Sequence, residues 1–454
     1  MQQPACLLFR CLVRRHEQGA GSGGAGTDAT LGRDVSPLFG AQMLAPFQLR
    51  SYRLQWPADL LTSCAFEMET LILGWYVLVV TDSVLLLTLF GALQFTGTLV
   101  APVFGVAGDR IGHRNLLCGM RLFYTILATT LMTIAFAGMP SPMIVLIVTA
   151  LMGLVRPSDL GVRSALIADA MPTERLMPAL GISRTTTDMA RVIGALTGAG
   201  LFAAFGLGPT YAVVASFYAI GFILTAAIGK TPAGVDHAAI AVVQPRPSPW
   251  SDLRAGLAYV WARPQLLAAI WLAFLVNLTA YPLSNGLLPY VAREIYQIDQ
   301  TGLGYLVASF AMGALLGSMV VSQRSSIRPG RAMIIATLAW YVALLLFARV
   351  AHPFGGVVML MLAGFAQSFC MVTLAVMLLR TTSAQFRGRV MGVRMLAIYS
   401  LAVGLPAAGA LIDLVGFHTT ATLYACVGLL CTLIIAFNWR SELWPAEAPA
   451  NARH

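Results

Sequence analysis

Long apolar runs, each broken by a short cluster of Gly, Pro or charged residues, recur along almost the whole chain. A helix rising ~1.5 Å per residue needs about 20 largely apolar residues to cross ~30 Å of hydrocarbon, and these runs meet that length. The pattern predicts spans at 57–80, 84–106, 116–138, 143–168, 177–205 and 211–229. A second set follows at 264–289, 303–322, 332–350, 355–379, 390–413 and 419–438. Between the sets lies a polar stretch containing Pro232, Pro245, Pro247 and Pro249. Its last part, Trp250 to Trp261, gathers Leu253, Leu257 and Val260 on one face, which predicts a helix lying along the membrane surface. The chain so divides into a tail 1–45, a six-helix half 46–229, a linker 230–263, a second six-helix half 264–438 and a tail 439–454.

Composition narrows the function classes. Of 454 residues, 58% are apolar and 11% charged, whereas soluble domains carry about 25% charged residues. Twelve spans use about 240 residues, which leaves no room for a sizeable soluble domain. The net charge of +10 does not indicate a nucleic-acid binder, because the basic residues are dispersed and Lys230 is the only lysine. At the N-terminus the apolar run from Ala5 to Phe9 precedes Arg10, Arg14 and Arg15, the wrong order for a secretory signal. Gly19 to Gly26 reads as a flexible linker, and the tail is expected to lack fixed structure, with Met43 as an alternative start. Cys6, Cys11, Cys64, Cys118, Cys370, Cys426 and Cys431 show no CxxC spacing and read as small hydrophobes, not as metal ligands or a disulfide framework.

Charge placement orients the spans. With the N-terminus in the cytoplasm, the tails, linker and even-numbered connections collect all of the 29 basic residues except Arg156, Arg191, Arg293 and Arg349. Both termini are therefore expected on the cytoplasmic side. An internal repeat supports the six-plus-six division: Gly194, Leu201 and Gly206 of span 5 recur as Gly404, Leu411 and Gly416 of span 11, each shifted by 210 residues.

Ionisable residues inside spans are candidates for function, since a charge in hydrocarbon is costly. Glu67 and Glu69 sit in the middle of span 1 and, two residues apart, point in different directions; one is expected to face a central cavity and the other a neighbouring helix. A carboxylate of this kind could carry a coupling proton. Arg156 with Asp159 in span 4, and Asp188 with Arg191 in span 5, are spaced to pair on one helix face. Gly194 and Gly198, Gly404 and Ala408, and Gly313 and Gly317 are small residues four apart that would let helices approach. Span 7 offers Asn277, Tyr281, Pro282, Asn285 and Gly286, an interrupted helix with amide and phenol groups suited to substrate contact or an external gate. No GxxxxGK[ST] string occurs, which excludes ATP-driven transport by this chain, and no cofactor or metal-ligand spacing is present.

Between spans 2 and 3 runs Gly105-Val-Ala-Gly108-Asp109-Arg110-Ile-Gly112-His113-Arg114. Gly105 would admit a neighbouring helix, Asp109 could meet a helix N-terminus, Gly112 permits a tight turn, and Arg110 and Arg114 hold the loop in the cytoplasm. The string resembles the loop signature of the major facilitator superfamily, with Ala107 for the usual Leu and His113 for a basic residue. Leu73-Gly74-Trp75 with Thr81-Asp82-Ser83, Gly91-Ala-Leu-Gln94-Phe95, Ala190-Arg191-Val-Ile-Gly194 and Arg387-Gly-Arg389-Val-Met-Gly392 resemble the branch of bacterial exporters that includes the enterobactin exporter and macrolide efflux proteins. Ala195 stands where such exporters usually carry Pro, and Ser322-Gln323-Arg324 lacks the acidic residue of the repeated signature. The resemblance implies an all-α membrane protein, twelve transmembrane helices in two six-helix pseudo-symmetric bundles. It implies a non-enzymatic secondary transporter of the bacterial inner membrane that exports a small amphiphilic molecule by proton antiport. A uniporter or an importer of a lipid-like or metabolite substrate is the alternative, with a membrane sensor or integral-membrane enzyme further off. The expected partners are that substrate, protons and membrane lipid, without nucleic acid, and the chain is expected to act as a monomer.

Overall fold

The computed structural model describes residues 45–138, 141–229, 249–323 and 328–444. The tail residues 1–44, most of the linker and the end of the C-terminal tail lie outside the described residues. Every regular element among the described residues is helical. The spanning elements are α1 (Arg50–Thr81), α2 (Val84–Leu93 and Ala101–Ile111, joined through a 3-10 turn at Thr96–Leu99), α3 (His113–Phe136), α4 (Pro142–Ala170), α5 (Thr173–Phe205) and α6 (Leu207–Ala227). The second half holds α7 (Pro264–Ile295), α8 (Gln300–Ser322), α9 (Pro329–Phe347), α10 (Pro353–Thr381), α11 (Arg387–Val415) and α12 (Phe417–Asn438). Eleven described helices are long and apolar enough to cross a membrane; the apolar part of α2 is shorter because the chain breaks near Gln94.

Local chemistry sets the ends. Ser83 caps α2 by accepting from the Leu86 N–H, and Asp299 caps α8 by accepting from the Gly302 N–H at 2.9 Å. Pro142, Pro264, Pro329 and Pro353 each open a helix where a missing N–H costs nothing. Pro282 and Pro289 interrupt α7, which runs through three π-helical turns, so span 7 is broken where its sequence is.

The repeat seen in sequence is also present in three dimensions. Gly206 and Gly416 both take positive φ, 76° and 81°, at the turns α5–α6 and α11–α12. Gly194 and Gly198 bring α5 against Cys64, Glu67 and Met68 of α1, while Gly404 brings α11 against the Leu278 backbone of α7. Gly153 meets the Leu93 carbonyl between α4 and α2, and Gly313 and Gly317 meet Met361 and Phe365 between α8 and α10. At none of these close approaches is there room for a Cβ without a shift. The two bundles are thus built on one plan. Their interior is largely apolar with a few paired charges, and the outward surface is apolar, where Ile126, Ile147, Ile223, Ile335, Leu346 and Leu430 are exposed. A belt of that kind is the surface a hydrocarbon solvent selects.

Two sequence expectations change, and a third gains detail. Arg121, Arg163, Arg184 and Arg394, assigned to connections, lie inside helices, because paired or cavity-facing guanidiniums tolerate burial that a loop count does not anticipate. A Cβ at Gly105 would meet nothing within 4 Å among the described residues, so the glycine marks no close helix approach there; Gly108, beside the His113 ring, is the crowded glycine. The amphipathic helix, Pro249–Trp261, packs on the first turns of α11, with Val260 buried and Gly256 against the Arg389 backbone. Its Tyr259 stacks on Phe386 at 4.2 Å and lies under Arg263. The hydroxyl and N–H of Ser383 both reach the Tyr259 oxygen and pull that phenol below its usual range.

Candidate functional site

The halves are tied at the end of the bundle that carries Asp82. There Arg293 reaches Asp82 at 2.8 Å, Gly74 lies against Pro289, Gly91 against Leu405, and Gly409 against Thr88. Gly304 of α8 abuts Ala195 and Ala199 of α5. Small residues on both sides let the backbones close.

Deeper between the halves lies a polar group drawn from five helices. Arg191 of α5 directs Nε to Glu67 Oε1 of α1 at 3.4 Å, and the Glu67 side chain is 22% exposed. Across the interface stands Tyr281 of α7, which accepts from Gln367 Nε2 of α10 at 2.6 Å and packs edge-on against Trp340. Arg184, Arg191 and Arg394 all lie within electrostatic reach of the Tyr281 phenol. Arg184 pairs with Asp188 at 3.5 Å, and its side chain is 62% exposed while that of Asp188 is buried.

Glu69 has a different setting. It is buried in the N-terminal half, where the Tyr211 and Tyr218 hydroxyls donate to its two oxygens at 2.9 and 3.0 Å. Arg156 donates to Gln94 Oε1 at 2.6 Å, to Thr70 Oγ1 at 3.0 Å and to the Phe66 carbonyl at 3.1 Å, and lies over the Phe66 ring. Between Glu69 and Arg156 is a cavity of about 10 Å³, also lined by Thr149 and Met152. That is room for about one water.

The pairings expected along single helices are exchanged. Asp159 binds Arg163 at 2.5 Å, not Arg156, and Asp188 binds Arg184, not Arg191. In each case the i,i+4 partner wins, because the i,i+3 arginine finds acceptors on other helices. Arg163 also reaches Asp59 at 3.5 Å and donates to Ser63 at 2.9 Å, while the fully buried Arg121 binds Asp59 and Thr225. This buried square of two aspartates and two arginines joins α1, α3 and α4. Sequence reasoning missed Asp59 altogether, although it, Arg121 and Arg163 all fall a turn or two from the same end of their spans.

The remaining candidates are placed as follows. Asn277 is buried and donates to the Ala273 carbonyl of its own helix at 2.8 Å. Asn285 is partly exposed in the interrupted region of α7. In the loop signature Gly112 has φ 85°, Arg110 is exposed, Arg114 donates to the Ala226 carbonyl, and His113 Nδ1 lies 2.7 Å from Asp169 Oδ2. The side chain of Asp109 lies outside the described residues.

The family model described as transmembrane secretion effector matches residues 41–454. The chain belongs to this family of the major facilitator superfamily. The enterobactin exporter EntS of Escherichia coli O1:K1 is 28% identical over 316 residues, 67% of this chain and 70% of that protein. EntS of Salmonella typhi is 27% identical over the same lengths. Among solved structures, the nucleoside transporter NupG aligns with a TM-score of 0.65 at 14% identity, over 88% of this chain and 100% of that one. A POT family transporter in complex with 5-aminolevulinic acid gives 0.69 at 12% identity, over 87% and 97%. These structures share the fold. The chain is accordingly a multi-pass transporter of twelve helices in two bundles and not an enzyme.

Proposed function

We propose that the protein is a proton-coupled exporter of a small amphiphilic molecule, working as a monomer in the bacterial inner membrane with both termini in the cytoplasm. The carrying observation is the Glu67–Arg191 pair, partly exposed beside Tyr281 where the two halves meet. A proton arriving on Glu67 ends the ion pair and frees both side chains, so the group is sensitive to protonation where the halves must move apart. Glu69, sealed between two tyrosines, lacks that access. The similarity to enterobactin exporters supports outward transport. Arg254, Arg263, Arg387, Arg389 and Arg440 gather at the end opposite Asp82, which supports a cytoplasmic position for that end.

The test compares the medium of a deletion strain with that of complemented strains. The wild-type chain should restore secretion of small molecules that the deletion strain retains. A protonophore, or Glu67→Gln at equal membrane level, should abolish that secretion. Secretion that persists under both treatments would end the proton-coupled reading, and restored uptake in place of secretion would reverse the direction.

A further inference from the structure

Arg394 is a cation within a spanning helix that no carboxylate meets. It is partly buried in the first segment of α11, Arg387–Ile398, and takes part in none of the ion pairs or hydrogen bonds of the described residues. Its electrostatic neighbours are the Tyr281 phenol, the Cys370 thiol and a second cation, Arg184. The carboxylates nearby are already engaged: Asp188 with Arg184 at 3.5 Å, and Glu67 with Arg191 at 3.4 Å, all four on the N-terminal half. Three guanidiniums from both halves therefore lie within electrostatic reach of one phenol, and the one from the C-terminal half has no carboxylate partner among the described residues. A charge left uncompensated in this way is unfavourable until an anion arrives. The Arg184 side chain is 62% exposed, so the group is not sealed on that side.

The polar groups are set against an apolar backing. Tyr281 accepts from Gln367, so its own O–H remains available to donate, and its ring lies against Trp340 at 5.2 Å. A ligand seated there meets cations at one end and the partly exposed Tyr281 ring beside them, with the buried Trp340 behind it.

We propose that Arg394, Arg184 and Tyr281 form the headgroup site for an anionic amphiphile, a carboxylate, sulfonate or phosphate ester on an aromatic or aliphatic body. Guanidinium groups bind such oxyanions through charge-assisted hydrogen bonds. The site bridges the halves, so its occupant contacts both moving bodies. The assignment rests on the export reading only for the direction of travel.

Two matched probes test it: 8-anilinonaphthalene-1-sulfonate and its uncharged parent N-phenyl-1-naphthylamine, titrated against the full chain in phosphatidylcholine nanodiscs with empty discs subtracted. Arg394→Gln should weaken binding of the sulfonate about tenfold and leave the neutral probe within about twofold. Arg394→Lys should retain the preference, which separates loss of charge from loss of fold, and Arg184→Gln should lower it. Arg440→Gln, at an exposed position just after α12, should bind both probes as wild type does. Competition on replacing phosphatidylcholine with phosphatidylglycerol would assign the anion to a lipid headgroup; its absence would assign it to a soluble amphiphile. Equal losses for both probes, or no loss for either, would overturn the site. Charge-selective binding together with protonophore-insensitive secretion would remove proton coupling and leave the anion site standing. Coupled secretion without charge selectivity would remove the anion site alone.

Discussion

Arg293, near the end of α7, holds Asp82, the left-handed residue that closes α1: Nη2 lies 2.8 Å from Oδ1, and Nη1 donates to the Leu78 carbonyl at 2.9 Å. One side chain so fastens both the charge and the backbone end of a helix in the opposite half. Asp82 is 79% exposed, which limits the ion pair to about 0.2–1 kcal/mol.

Arg293→Gln should therefore loosen the closed end without unfolding the chain. An energy of about 1 kcal/mol shifts a two-state population roughly fivefold. Spin labels at the exposed positions Leu85 and Tyr305 should report a larger fraction of long distances in the variant. An unchanged distance distribution would remove this pair from the closing mechanism.

Glu69→Gln should lower thermal stability while leaving protonophore-sensitive secretion in place. The change replaces one carboxylate acceptor by an amide NH2 and takes the charge from the other, so Tyr211 and Tyr218 lose their charge-assisted bonds, a loss of about 1.5–3 kcal/mol. Melting of the purified protein in detergent reads the first effect. Secretion abolished at normal stability would transfer the coupling role from Glu67 to Glu69.

The buried charge square should behave non-additively. Arg121→Leu or Asp59→Leu alone strands a buried partner and should cost about 3–5 kcal/mol. Changing both leaves Arg163 and Asp159 matched, so the double variant should recover much of the loss. Additive losses in a double-mutant cycle would mean that the two side chains do not act as a pair.

If the transported species is a monovalent anion leaving as one proton enters, each cycle carries two positive charges inward. Each charge is worth about 2.3 kcal/mol per 100 mV, so the limiting gradient should respond steeply to voltage. Proteoliposomes loaded with anilinonaphthalene sulfonate and clamped with potassium and valinomycin provide the measurement. A final distribution independent of the potential would exclude that stoichiometry.

The spans were legible because hydrocarbon imposes a length and a composition that soluble packing does not. Gly206 and Gly416 were legible as a repeat because each turn needs positive φ. The pairings were not. Arg156 and Asp159 satisfy the spacing for an ion pair, but Gln94 and the Phe66 carbonyl lie on helices that the local pattern does not bring near. Arg394 reads as a loop residue in the sequence because its position about two helical turns inside α11 is indistinguishable, by hydropathy, from a flank. Asp59, Arg121 and Arg163 share a depth, and comparing depths between spans would have suggested their meeting.

The buried square also bears on how the chain enters the membrane. Asp59, Glu67 and Glu69 all belong to α1, whereas their partners Arg121, Arg163, Arg191, Tyr211 and Tyr218 are supplied by α3, α4, α5 and α6. During synthesis the first helix reaches the bilayer carrying three carboxyl groups whose counterparts have not been made. It is poorly suited to partition into lipid by itself, so it should remain beside the insertion machinery until the later helices emerge. Release of the N-terminal half then becomes a single cooperative event, timed by the arrival of α6.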